Sequence, residues 1–335
     1  MASYLSKEEE KQRNFAAISS LVVGVILMLL KFWAYNMTGS EAVHSDALES
    51  IVNITTAALA IFVIYYAAKP VDTDHPYGHG KVEYFSSAFE GGLISFAAVY
   101  IIIDAVRALI GRHELQKLDT GLIIVLAAGI VNLLLGLFLI KKGIKNKSLA
   151  LKASGHHVIS DFVTSAGVVI GLIIVKMTGL VWLDPVIAII VGLYLAFTGL
   201  KLVKESVGGL LDAEDLKLLE ELARVFQKSM IPGIIQLHHV KVIRSGFYHH
   251  IDAHVVLPEF WDVAHVHDKV NEFEKKVIQH YHFQGEMNFH MDPCRRVYCQ
   301  YCDLANCSIR VEEFKQKMQV NISQLRSKEE PEEFL

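Results

Sequence analysis

A carboxylate placed in hydrocarbon costs at least ~2.5–3.5 kcal/mol, and two apolar stretches of this chain carry such groups deep inside them. The first, EAVHSDALESIVNITTAALAIFVIYYAA, holds Asp46, Glu49 and Asn53. The second, SGHHVISDFVTSAGVVIGLIIV, holds His157 and Asp161. Glu49 and Asn53 are four residues apart, as are His157 and Asp161, so each pair shares one face of a helix. Two such helices face to face present two carboxylates, an imidazole nitrogen and an amide oxygen. That donor set suits a divalent cation.

Crossing a bilayer takes about 20 apolar residues. Six stretches qualify, near 16–35, 42–67, 86–110, 122–140, 158–177 and 181–203. A chain 52% hydrophobic is too apolar for one ordinary soluble domain, and its charge and histidine collect after about residue 205. Four of the spans read as clean, apart from Asp104, Arg107 and Asn132. Gly91, Gly92, Gly129 and Gly136 allow close helix contact. The opening MASYLSKEEEKQRN stays charged too long for a cleavable signal peptide, so the first apolar run is expected to remain a transmembrane helix. Lys69, Lys81, Lys141, Lys142, Lys145, Lys147, Lys201 and Lys204 outnumber Arg112, Lys117 and Lys176 on the other side, which puts both termini in the cytoplasm. The expected location is the cell inner (plasma) membrane.

From Asp212 the pattern becomes that of a water-soluble domain. AEDLKLLEELARVFQKSM and WDVAHVHDKVNEFEKKVIQHY have helical periodicity, and QLHHVKVIRS, FYHHIDAHVVL and EMNFHMD read as strands. Helix–strand–strand–helix–strand predicts a small α+β, ferredoxin-like sandwich with its helices on one sheet face. The expected divisions are 1–211, 212–293 and 294–335, the last holding a cysteine cluster and a charged tail.

Three further groups of residues suit metal. Asp72, His75 and His79 fall within the short loop DTDHPYGHGK. The soluble part holds 10 of the 16 histidines. Among them, His250 and His254 share a strand face with Asp252, and His238, His265, His267, His290 and Asp292 come from neighbouring elements. All four cysteines, Cys294, Cys299, Cys302 and Cys307, lie in one short run. Behind a cytoplasmic membrane helix they read as reduced thiols suited to a structural zinc. The net charge of −4 carries no basic stripe, which argues against nucleic acid as a partner. No phosphate loop, H-E-x-x-H or G-x-S-x-G is present, so neither ATP-driven pumping nor a hydrolytic enzyme is indicated, and transport has to run on a gradient.

The strings TGSEAVHSDALESIVN, DTDHPYGHGKVE, HHVISD, ESVGGLLD and HMDP together resemble the cation diffusion facilitator family over nearly the whole length. The resemblance implies an α-helical membrane protein of six transmembrane helices with a C-terminal α+β metallochaperone-like cytoplasmic domain. It also implies a homodimer in the lipid bilayer that expels divalent metal ions against protons. Zinc heads the candidates, before iron, cobalt, manganese and cadmium. By position, the transport site falls on Glu49, Asn53, His157 and Asp161, and a loop site on Asp72, His75 and His79. Cytoplasmic regulatory sites fall on His238, His254, His267, His290 and Asp292. Lys81 and Asp212 sit where relatives form charge pairs. The family usually has Asp or His, then Asp, where this chain has Glu49 and Asn53. Asp46, one turn before Glu49, is expected to compensate as ligand or proton carrier. The alternative is a membrane sensor or store that binds metal without moving it.

Overall fold

The computed structural model describes residues 7–67, 69, 71–111, 117–145, 149–246 and 248–328. Arg112, Lys147 and most of the charged tail lie outside the described residues. Six helices long and apolar enough to cross a membrane come first: α1 (Lys7–Thr38), α2 (Glu41–Ala67), α3 (Val82–Ile110), α4 (Leu118–Lys145), α5 (Leu149–Thr178) and α6 (Leu183–Leu210). The first five contain the first five expected spans, and α6 covers all but the first two residues of the sixth. Large apolar side chains such as Phe96, Ile123 and Phe197 point outward, while Ala34, Ala42, Val43, Val125 and Val168 fill the interior. This inversion of size suits a bundle whose outer solvent is lipid, where close packing rather than water exclusion joins helices.

Two of the four glycines expected at helix contacts sit at them. A Cβ on Gly136 would lie 2.9 Å from the Gly155 carbonyl oxygen, so α4 and α5 touch backbone to backbone. Gly91 meets the Gly199 carbonyl oxygen in the same way, joining α3 to α6. Gly129 is in ordinary contact, and Gly92 has open space beside it. The spans are also less clean than expected. Lys31 is fully buried in α1, and Glu90 lies part-buried in α3.

The rest of the chain forms a second compact unit, which also takes in the α2–α3 loop, residues 69–81. Its elements are α7 (Leu216–Ser229), β1 (Gln236–Ser245), β2 (Tyr248–Leu257), α8 (Val263–His280), β3 (Gln284–Pro293) and the short α9 (Ile322–Arg326). The strand order is β1-β2-β3, with β1 and β2 antiparallel and β2 and β3 parallel. The parallel pair needs a crossover, and α8 supplies it. Asp215 caps α7 by accepting from the Lys217 and Leu218 amides, and Asp262 caps α8 through His265 N–H. Leu222 and Phe226 of α7 and Phe273 and Val277 of α8 pack on Ile251, Ala253 and Val255 of β2. The alternation of a strand then sends His250, Asp252 and His254 to the opposite face, as expected.

The α2–α3 loop is bound to this domain by backbone fit. The Gly80 amide donates to Ser245 Oγ at 3.2 Å, and a Cβ on Gly80 would fall 2.2 Å from the Ser245 carbonyl. The Tyr77 ring meets His250 edge-on at 4.9 Å, and Lys81 Nζ is 2.8 Å from Asp212 Oδ2. Residues 294–328 belong to the same body. Cys294, Tyr298 and Cys302 pack on Ile235 and Val256, and Leu325 of α9 enters the main core.

His249 lies on the helix-facing side of β2, stacked on Phe283, with Nδ1 2.6 Å from the Tyr281 hydroxyl. Burial and then the Arg244 charge push its pKa down to about 4. In the unfolded chain the ring titrates near 6.5. The unfolded state therefore takes up the proton first as pH falls, so stability is whole above pH 6.5 and declines toward pH 4, by about 3 kcal/mol in all. Hydrogen exchange of β2 amides in the full-length protein should accelerate over that window beyond its intrinsic pH dependence. His249→Phe should flatten the response.

Candidate metal centres

Helices α2 and α5 bring Asn53, His157 and Asp161 together. The Asn53 Nδ2 donates to Asp161 Oδ2 at 2.7 Å, and its Oδ1 lies 3.0 Å from His157 Nε2. His157 Nε2 is 3.8 Å from Asp161 Oδ1. Glu49, on the same face of α2, accepts from Thr164 Oγ1 at 3.2 Å. Asp161 and Glu49 are both buried. The Asn53 amide thus occupies the middle of the constellation, with oxygen toward the imidazole and nitrogen toward the carboxylate. These are donor types that a divalent cation accepts, and in this structure the Asn53 amide and the Thr164 hydroxyl meet the Asp161 and Glu49 carboxylates. Two residues absent from the sequence reading border this site: Thr164, and Glu90, whose Oε1 stands 3.8 Å from His157 Nδ1. A carboxylate behind a ligating imidazole orients the ring and raises its basicity.

Asp46, expected as ligand or proton carrier, is paired with a lysine in this structure. Its Oδ1 is 2.9 Å from Lys31 Nζ and accepts from the Ser165 hydroxyl, and all three side chains are buried. A fixed ammonium pairs its charge, whereas Glu49 and Asp161 are met by hydroxyl, amide and imidazole groups. The lysine in LMLLKFWAY was open to the same reasoning as the carboxylates, since a cation at that depth also demands a partner.

In the loop, Asp72 bridges two histidines. Its Oδ1 is 3.0 Å from His75 Nδ1, its Oδ2 is 3.2 Å from His79 Nε2, and the two rings are 4.3 Å apart. What burial Asp72 has acts to raise its pKa, but hydrogen bonds from His75 outweigh that and lower it, so the carboxylate is ionised and able to ligate.

In the C-terminal domain, His238 pairs with His254 across β1–β2, and His254 pairs with His290 across β2–β3. Three imidazoles so form one row across the sheet, gathered round Asp292. His254 Nδ1 is 2.9 Å and His238 Nε2 3.4 Å from Asp292 Oδ2, and His290 Nε2 is 3.4 Å from Oδ1. His238 Nδ1 is buried without a hydrogen-bond partner. Burial lowers the His238 pKa despite Asp292, which keeps the ring neutral, the form that binds metal. A bulge in β1 between His238 and Lys241, with His239 at φ 49°, swings His239 into the same cluster, 3.2 Å from His254 Nε2. Bulges re-aim side chains in this way.

The structure leaves other expected ligands apart. His267 stands exposed on α8 beside Asp268 and Asn271. Since α8 covers the opposite face of the sheet, His267 does not reach His254 of its own chain. His250 turns to Glu286 at 2.8 Å and to the Tyr77 carbonyl, and His265 stacks on Trp261. Among the described residues, no group of three close ligands includes a cysteine. Cys294, Cys299 and Cys302 are buried free thiols, and burial raises the pKa of Cys294 and Cys302. Cys294 and Cys302 pack with Ile235, Val256 and Tyr298 in the manner of small apolar residues.

Six lipid-length helices that bury ligands between α2 and α5, followed by a histidine-rich α+β domain, define a membrane transporter of the cation-efflux class. The pattern of the cation efflux transmembrane domain matches residues 17–211, and that of the cation efflux protein cytoplasmic domain matches residues 215–294. The chain belongs to the cation efflux, or cation diffusion facilitator, family. It is 34% identical over 264 residues to the uncharacterized transporter sll1263 of Synechocystis sp., covering 78% of this chain and 85% of that one. It is 27% identical over 280 residues to the cation-efflux pump FieF of Yersinia pestis and of Yersinia pseudotuberculosis, covering 83% of this chain and 92% of the pump.

Removing one member of a buried ion pair strands the other. Lys31→Met should therefore cost on the order of 3–5 kcal/mol, and adding Asp46→Asn should restore most of it. Chemical unfolding of the two variants and wild type in detergent measures both.

Proposed function

We propose that this chain exports divalent metal cations in exchange for protons, as a homodimer whose C-terminal domains bind metal as a regulatory signal. The reading rests above all on the Asn53, His157 and Asp161 constellation, with Glu49 beside it, buried between two lipid-length helices. Such groups are expensive in a bilayer unless they serve an ion. Ligands bind metal only when deprotonated, so metal and proton compete for one pocket. An imidazole among the ligands lets a proton gradient act on that competition. Metal loads from the cytoplasm and leaves on the far side when protons displace it. Zinc suits the nitrogen and oxygen donors, and iron, cobalt, manganese and cadmium share much of that preference. Both termini lie in the cytoplasm, and the membrane is the inner, or plasma, membrane.

The His238, His254, His290 and Asp292 row is proposed as the regulatory site, and Asp72, His75 and His79 as a second cytoplasmic site. The loop carrying the latter is fastened to the C-terminal domain at Gly80 and Lys81. Metal bound at either place thus acts on the segment that joins α2 to α3.

Zinc flux into proteoliposomes under an imposed pH gradient tests the reading. Asp161→Ala and His157→Ala should each cut flux at least ~10-fold with folding intact. Unaltered flux would refute the site, and binding with no flux in wild type would leave a sensor or store. Asn53→Asp adds a charge to the pocket and should reorder the preference among zinc, iron, cobalt and manganese in a competitive uptake series.

A further inference from the structure

A fourth set of ligands lies outside all of these sites. Glu41 and His44, in the first turns of α2, meet Asp104 near the end of α3. His44 Nδ1 is 3.1 Å from Asp104 Oδ2 and 3.6 Å from Glu41 Oε2. One donor atom from each residue lies within 4.8 Å of the other two. Donors bound to zinc at about 2.0–2.2 Å in a tetrahedron stand roughly 3.3–3.6 Å from one another. Two edges of the cluster are thus already close to those of such a site, and the third lies within 4.8 Å.

The surroundings hold it in that form. The Tyr35 ring of α1 stacks flat on the His44 ring, with centroids 4.1 Å apart and planes 8° apart. Asp184, fully buried at the start of α6, accepts from the Ser40 hydroxyl at 2.6 Å and from the Glu41 amide at 2.8 Å, so it fixes the first turn of α2. The three ligand side chains retain 12%, 13% and 29% exposure, enough for an ion to arrive from water. A neutral imidazole between two carboxylates leaves a charge of −2, matched to one divalent cation.

We propose that Glu41, His44 and Asp104 form a divalent-cation site at the outer end of the helical bundle, separate from the transport pocket. Six crossings put the start of α2 and the end of α3 on the side opposite the end of α6. His44 precedes Glu49 by five residues, about 7.5 Å along the helix. The site is therefore a way station on the release side, where an expelled ion, or one already outside, is held by mixed nitrogen and oxygen donors. Its place on the release side rests on the direction of transport proposed above; its capacity to bind does not.

The test counts zinc ions per protomer by equilibrium dialysis of the full-length protein in nanodiscs, in the Asp161→Ala background. His44→Gln and Asp104→Asn should each remove one zinc per protomer while thermal unfolding stays cooperative. An unchanged zinc count overturns the proposal. So does a His44→Gln variant that loses stability but no zinc, the mark of an imidazolium merely paired with two carboxylates. Should the variants fail to fold, zinc protection of His44 from diethyl pyrocarbonate in wild type, read by mass spectrometry, decides instead. Protection supports the site, and modification at the same rate with and without zinc rejects it. Wild-type flux is measured in parallel: absent flux defeats the transport reading and leaves the zinc count standing, whereas an unaltered count defeats only this site.

Discussion

The cost of charge in hydrocarbon organises the membrane half of this protein. Lys31, Asp46, Glu49, Glu90, His157 and Asp161 all sit within apolar helices, and each is held close to a polar partner. The Lys31–Asp46–Ser165 contact ties α1, α2 and α5 together with no net charge left over. The Asn53–His157–Asp161 contact ties α2 to α5 a second time, but there the partners are weaker. There a neutral amide and an imidazole, not a fixed ammonium, meet the carboxylate.

The C-terminal domain solves another problem, that of collecting imidazoles in water. A three-stranded sheet covered on one face by α7 and α8 leaves the other face for ligands. The register places His238, His254 and His290 in a row, and the β1 bulge adds His239. The same body holds the α2–α3 loop through the close approach of Gly80 to Ser245, which any side chain at Gly80 would block. The Asp72 cluster and the His254 cluster are therefore carried by one compact unit, though one of them lies between two membrane helices in the sequence.

Much of this was legible in the sequence because two periodicities are strong. Lipid-length apolar runs specify six spans whatever their neighbours are, and alternation in FYHHIDAHVVL puts His250, Asp252 and His254 on one face. The failures share a cause: they depend on partners distant in the chain. Asp46 read as a ligand until Lys31, from another helix, was seen to neutralise it. Four cysteines in one run read as a zinc centre, but two of them, Cys294 and Cys302, pack with Ile235, Val256 and Tyr298. His267, expected among the cytoplasmic ligands with His254, stands on α8, which packs on the opposite face of the sheet.

The amino-acid order by itself determined the six spans, the α+β domain that follows them and the buried polar pairs on α2 and α5. These depend on local composition and on spacing along a single element. Only the tertiary structure decided which carboxylates remain available to an ion, which histidines meet across strands and that Glu41, His44 and Asp104 converge. Those outcomes turn on helix packing and strand register, set by contacts such as Gly136 on Gly155 and the β1 bulge, and no periodicity within one segment encodes them.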